Sequence, residues 1–224
     1  MSEDSNSKET IAILGGTGDL GTGLAIRWSK VGHKIVIGSR TLEKAQTAVE
    51  ALQEVSPETS AEAMENGNAA KAGDIVVLTV PAEHQESTLK AVKDSLAGKI
   101  LIDVTVPLVP PKVGTVQLPI EGSAGKRAQT LLGEEVMVVS AFQNIAAHLL
   151  KEDVRIECDV LVTGNKKAAR QRVIEMIESA GMVGWHAGPI DNAAAAEALT
   201  SILIQINRSG MISHSGIKII GQEH

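Results

Sequence analysis

An α/β protein built on a doubly wound, mostly parallel sheet is what this sequence predicts, and three observations carry that prediction. Short apolar runs alternate with amphipathic stretches from the first residues to about Gly164. Two of the runs, "DIVVLTV" (74–80) and "KILIDVTV" (99–106), are apolar and β-branched almost throughout. That is the pattern of strands buried on both faces of a parallel sheet. The chain has 224 residues and is 43% hydrophobic, enough for one large or two small packed domains. Repeated strand–helix–strand units with right-handed crossovers then give the doubly wound order.

Each element has its own signal. Residues 11–14 read as the first strand, and 18–31 as a helix with Leu20, Leu24 and Trp28 on one face. Gly32 closes that helix, since a left-handed cap suits glycine. Residues 34–38 form the second strand, and Thr41 can N-cap a helix that reaches about Val55. "TSAEAM" (59–64) is a weak third strand. A helix over 82–95 lies between the two apolar runs. "EVMVVSAF" (135–142) and "CDVLVTG" (158–164) are two more strands. Residues 166–180 read as helical, "VGWHAG" as a short extended piece, and "NAAAAEALTSILIQINRSGM" as a long helix. That last helix carries Ala195, Leu199, Ile202, Leu203 and Ile206 on one stripe, with Ile204 to the side, which suits burial in a dimer.

Two stretches break the rhythm. Residues 106–125 hold four prolines and several glycines after a strand end. A loop of that length in a compact domain usually serves function. The part beyond Asn165 is too short for a large catalytic domain and reads as a small α/β cap over the sheet's edge.

Composition narrows the function. A net charge of −6 argues against nucleic acid or a membrane surface as partner, since both reward a basic face. One cysteine, Cys158, permits neither an internal disulfide nor a cysteine metal cluster, which fits a reducing cytoplasm. No apolar run has the length of a membrane span. The opening "MSEDSNSKET" lacks the pattern of a signal peptide and reads as a disordered polar tail over 1–9. With one Phe, two Trp and no Tyr, the core is expected to be aliphatic, and chemistry that needs a catalytic tyrosine is excluded.

The most informative motif is Gly16-Thr17-Gly18-Asp19-Leu20-Gly21, a G-x-G-x-x-G set between a strand and a helix. The first glycine permits the turn, the second lets backbone approach a pyrophosphate, and the third lets helix and strand pack closely. Amides at the helix N-terminus then face the phosphates. This is a Rossmann-type dinucleotide site. In its NAD form an acid near the end of the second strand holds the ribose 2′-hydroxyl. Here that place carries Ser39 and Arg40, with Lys44 one helical turn on. A carboxylate would repel a 2′-phosphate, whereas a guanidinium binds it bidentately, so the cofactor expected is NADP(H). The competing reading is a solvated helix start, with Glu43 beside the two cations.

"LTVPAEH" places Thr79, Val80 and Pro81 at the end of a central strand, where ligands of such sheets lie. Pro81 can open the next helix. His84 comes one turn in, within reach of a nicotinamide or its ribose. Thr105, Val106 and Pro107 end the following strand in the same way. A strand end at Ala141 and the helix around Thr200 are expected to complete the cleft, with Gln143 and Asn144 touching the polar ends of a second substrate.

"ILGGTGDLGTGLAIR", "IVIGSR" with Lys44, "IVVLTVPAEH", "VVSAFQNIAAHLL" and "EALTSILIQINRSGM…GIK" together resemble the NADPH:coenzyme F420 oxidoreductases, over residues 11–218. The resemblance implies hydride transfer between NADP(H) and a deazaflavin, an NADP-binding Rossmann domain over 10–142, a small C-terminal domain over 143–224, and homodimers. It also implies that Thr17, Gly18, Asp19, Leu20, Ser39, Arg40 and Lys44 hold the adenosine half. Val80, Pro81 and His84 would line the nicotinamide side, and Ala141, Ile145 and Ala147 would flank the rings. Gln143 stands where the family's segment is expected to carry histidine. An amide can donate to a deazaflavin carbonyl, but it cannot change charge near neutrality. Hydride transfer between two stacked rings is mostly positioning, so no strong acid or nucleophile is required. Reduction of another flavin-like acceptor and a non-catalytic NADP(H) sensor are the alternatives.

Overall fold

The computed structural model describes residues 9–152 and 154–222. Strands β1 (Thr10–Leu14), β2 (Lys34–Ser39), β3 (Ala61–Glu65), β4 (Ile75–Leu78), β5 (Ile100–Asp103), β6 (Met137–Ser140), β7 (Asp159–Gly164) and β8 (Val183–His186) form one sheet. Its eight strands run in the order β3-β2-β1-β4-β5-β6-β7-β8. All neighbours are parallel except β6 and β7. The winding reverses between β1 and β4, whose last residues, Leu14 and Leu78, pair side by side. Such a switch point opens a crevice beyond the strand ends.

The alternation of side chains along each strand decides which helices cover which face. Ile11, Ile13, Ile35, Ile37, Ile75 and Val77 point to one face. There they meet α1 (Asp19–Lys30), α2 (Leu42–Val55) and α6 (Lys167–Ser179) through Leu24, Trp28, Leu52, Val173 and Ile177. Ala12, Leu14, Val36, Val76 and Leu78 point to the other. That face is covered by α3 (Asn66–Ala72), α4 (Ala82–Val92), α5 (Ala124–Leu132) and the start of α7 (Ala193–Arg208). The core is aliphatic apart from Trp28 and Phe142, which pack edge to face with ring centroids 5.9 Å apart.

The C-terminal α/β piece is joined to the sheet itself. β7 pairs antiparallel with β6 through Val139–Gly164 and Ser140–Thr163, and β8 continues outward. Side chains bind the same seam. The Trp28 indole donates to the Met176 carbonyl at 3.0 Å. Arg27 donates to the carbonyls of Leu149, Leu150, Glu152, Val154 and Ala180.

Several local expectations hold. Gly32 closes α1 at φ +92°, and the Thr41 hydroxyl caps α2 by accepting from the Lys44 amide at 3.4 Å. Cys158 is buried. Others are corrected. The central strands end three or fewer residues earlier than their apolar runs, because Val80, Val106 and Ala141 belong to the turns beyond the strand ends. Pro81 immediately precedes α4 rather than opening it. The sequence reading missed α3 and α5. α5 is short, with only Ala124, Gly125, Ala128 and Leu132 buried, and its Ser123 cap follows directly on the proline-rich loop. On α7 the single chain buries only part of the predicted stripe. Ala193, Ala196, Glu197, Ser201 and Leu203 face inward, leaving Ala195, Ile202 and Ile206 exposed. Residues 1–8 of the expected tail lie outside the described residues, while Glu9 forms an ion pair with Arg172.

Candidate active site

The glycine turn after β1 is shaped by close approach. Gly15, one residue before the motif, sits at φ +73°, and a Cβ there would lie 2.5 Å from Val80 Cγ1. A Cβ on Gly21 would stand 2.7 Å from the Gly16 Cα, so helix and turn touch as the third glycine requires. Gly18 has nothing within 4 Å of its Cβ position and leaves space beside the helix N-terminus. Next to this turn lies a cleft of about 220 Å³ lined by Thr17, Ser39, Arg40, Lys44, Val80, Pro81 and His84. Gly15, Asn66, Ser87 and Thr88 complete it. Among the described residues the Arg40 and Lys44 side chains form no ion pair or hydrogen bond, and Glu43 does not engage them. Two uncommitted cations beside a buried Ser39 and an exposed Thr17 fit a phosphate monoester.

The acceptor side is held by bonds within the protein. Phe142 adopts φ +71°, a region costly for a non-glycine residue, and is fixed there by its buried ring against Trp28. The Gln143 amide donates to the Asp103 carbonyl at 3.0 Å and to Ser140 Oγ at 2.8 Å. Both of its N–H groups are therefore used inside the protein, and the expected donation to a substrate carbonyl is not available from this position. The Thr200 hydroxyl donates to the Gln143 carbonyl at 2.9 Å, and the Asn144 amide donates to the Ala196 carbonyl at 2.9 Å. These bonds lock the loop after β6 onto α7. Between them lies a small cleft of about 140 Å³, lined by Gln143, Asn144, Ile145, Thr200, Asn207 and His214 among others.

The comparisons follow this division. A family model described as "NADP oxidoreductase coenzyme F420-dependent" matches residues 10–107, the part that carries the glycine turn and the cations. An F420-dependent NADP reductase of Methanocaldococcus jannaschii is 39% identical over 95% of this chain and 99% of its own length. The chain belongs to the F420-dependent NADP reductases. The enzyme of that name from Methanothermobacter thermautotrophicus is 38% identical over 93% of this chain and 94% of its own length. A solved structure from Arthrobacter sp. FB24 that carries the same family name superposes with a TM-score of 0.80, at 26% identity, over 94% of this chain and 99% of that one.

Within this reductase the nucleotide residues read from the sequence largely come together, and those read for the acceptor divide. Thr79 turns its hydroxyl to the Leu14 carbonyl at 3.0 Å and ties β4 to β1 instead of facing the cleft. Ala141 is fully buried, so its side chain cannot touch a ring, and Leu20 packs on the core. Asp19 pairs with Lys151 at 2.7 Å. Ala147 sits in the short turn packed on α1, where its carbonyl would lie 3.4 Å from a Cβ on Gly23. Val106 is half-buried after β5. The proline-rich loop meets α7 through Ser201, whose hydroxyl donates to the Thr115 carbonyl at 3.4 Å, and lines a separate groove with Ala82, Glu83 and Arg127.

Between β5, α4, α5 and α7 lies a buried polar network that sequence reasoning missed. Asp103 accepts from the Thr105 amide at 2.9 Å and from Gln85, which accepts in turn from Arg127 Nε at 2.7 Å. Glu197 of α7 accepts the Ala124 and Gly125 amides at the start of α5, at 2.7 and 3.0 Å. Burial pushes both carboxylates up. Glu197 rises to about 7, with the Asp103 charge adding to burial and the two amides working against it. A signal existed in each case: one acid inside the apolar run "KILIDVTV", and one in the alanine-rich run "NAAAAEALT".

Proposed function

We propose that this reductase moves hydride between NADP(H) and coenzyme F420, with the 2′-phosphate on Arg40 and Lys44 and the deazaflavin against the loop after β6. The pair of uncommitted cations at the end of β2 carries the reading, because a dehydrogenase using NAD would place an acid there. The glycine turn offers the amides of α1 to the pyrophosphate. Val80, Pro81 and His84 would border the nicotinamide, and Ile145 would wall the acceptor ring. With so few aromatic residues the protein supplies no stacking partner, so the acceptor would lie on the nicotinamide itself. Such chemistry rests on alignment, which the fixed loop supplies. NADPH mixed with oxidised deazaflavin should bleach the deazaflavin absorbance. Tight NADPH binding without turnover of deazaflavin, FMN, FAD or riboflavin would overturn the reading in favour of a sensor.

The same reading includes a homodimer in a reducing cytoplasm. Ile202 and Ile206 of α7 are 48% and 39% exposed, and Met211 and Ile212 extend that apolar surface. Among the described residues no helix is long and apolar enough to cross a membrane. Light scattering should give the mass of two chains; a monomer at micromolar concentration would refute the dimer.

A further inference from the structure

Hydride transfer to a deazaflavin is not complete with the hydride. The C–H bond leaving the dihydronicotinamide carries two electrons to a ring carbon of the acceptor, and an electron pair there is displaced onto a conjugated ring nitrogen. That nitrogen must then take a proton, so the balanced reaction consumes one proton for each NADPH. Gln143, at the position nearest to hand, cannot supply it, because an amide does not ionise near neutrality and its N–H groups are held by Asp103 and Ser140.

We propose that His214 is the proton carrier of the acceptor cleft, donating to the acceptor ring as hydride arrives and accepting from it in the reverse direction. The proposal rests on the functional reading above. Among the described residues that line this cleft, only His214 is ionisable; Gln143, Asn144, Ile145, Ala146, Thr200, Leu203, Ile204, Asn207 and Ser215 are neutral amides, hydroxyls or aliphatics. Its placement is built. Ser215, the next residue, donates its amide to Asn207 Oδ1 at 2.9 Å and its hydroxyl to the Leu203 carbonyl at 3.1 Å. Two residues further on, the Ile217 amide reaches Cys158 Sγ at 3.4 Å. His214 itself holds φ +57°, a conformation that non-glycine residues adopt when their surroundings impose it.

A second imidazole stands behind the first. The His148 ring centroid lies 3.8 Å from that of His214, tilted by 54°. His148 sits in the turn that follows Ile145 and packs on α1, beside the glycine motif. The Asp19 carboxylate interacts electrostatically with His148 and pairs with Lys151 at 2.7 Å, and the Lys151 ammonium holds it below the usual carboxylate range. His214 is exposed and His148 half-buried, so a proton given to the acceptor is recovered from water through either ring.

The test compares the whole chain with His214→Asn, since asparagine tolerates positive φ and keeps the backbone in place while removing the ionisable ring. The expected results are a kcat for deazaflavin reduction about a hundredfold lower and NADPH affinity within a few-fold of wild type. The wild-type rate should fall where the His214 ring loses its proton, the variant should lose that limb, and added imidazole should restore part of the rate. Independently of turnover, oxidised deazaflavin should shift the His214 ring-proton resonance in NMR. His148→Gln should give a smaller loss of the same kind. A His214→Asn enzyme with wild-type kcat and pH profile overturns this assignment alone. A wild-type chain that binds NADPH but leaves deazaflavin unreduced overturns the functional reading and this one with it.

Discussion

In the cleft proposed for the nucleotide the groups that would meet a ligand are left open: among the described residues Arg40 and Lys44 are exposed and unengaged, and Gly18 leaves room beside a helix N-terminus. At the acceptor end almost every polar group is already spent. Gln143, Asn144, Ser140 and Thr200 bond to one another or to backbone, and Phe142 is forced into a left-handed conformation to keep them there. On the proposed function the first cleft would recognise by charge, with exposed side chains that find their partner when it binds. The second would position by rigidity, offering chiefly an aliphatic wall and the His214 imidazole for contact. A reaction that moves hydride between two rings needs both: a strong hold on a remote phosphate, and a surface that does not yield where the rings meet.

Three experiments bear on this contrast, from the largest expected effect to the smallest. Ile145→Trp fills the acceptor wall and should abolish hydride transfer while NADPH affinity stays within a few-fold. Full turnover in that variant would place the acceptor elsewhere and break the division of labour. Ala141→Trp is a poor substitute, because Ala141 is sealed in the core and overpacking would unfold the protein.

The second concerns the rigid end. Burial holds Glu197 at about 7 against an ordinary 4.5, so between those values the unfolded chain releases a proton that the folded chain keeps. Stability should therefore fall as pH rises through that window, by about 3 kcal/mol in all. In Glu197→Gln that contribution to the slope should vanish. Denaturant midpoints at pH 5 and pH 8 measure it, and an unchanged difference between them would show that Glu197 is not the buried acid responsible.

The third concerns the open end. Arg40→Ala should weaken NADPH by about tenfold to a hundredfold, or about 1.5–3 kcal/mol, with NADH barely affected. Lys44→Ala added to it should deepen the loss. Equal losses for the two nucleotides in a titration would remove the 2′-phosphate from that cleft.

The two ends also differ in how far they could be read from the chain. Glycine spacing and a Ser-Arg strand end are local patterns, and the sequence reading placed Thr17, Ser39, Arg40, Lys44, Val80, Pro81 and His84 in one cleft, as the fold does. The open sheet and all eight of its strands, the third as a weak strand and the last as a short extended piece, were legible for the same reason, since periodicity is local. The acceptor side depends on contacts between distant residues. Asn144 meets α7, Glu197 caps α5, and His214 returns to a loop 70 residues earlier (214 against 144) through the turn after α7. Nothing in the immediate neighbours of His214 announces that return. The inward face of α7 also depends on a distant contact: the amides of α5 hold Glu197 inward, while Ile202 and Ile206 of the predicted stripe stay exposed.

The antiparallel seam between β6 and β7 has a consequence for how the molecule can be divided. A fragment that stopped at Phe142, the domain boundary expected from the sequence, would leave β6 as a naked edge strand, with its backbone donors and acceptors unpaired along an apolar run. It would also uncover the Trp28 indole and strip the Arg27 guanidinium of the carbonyls it binds. The nucleotide half is therefore not a transplantable module. Grafting it onto another catalytic unit would require β7, or a strand in its place, to travel with it.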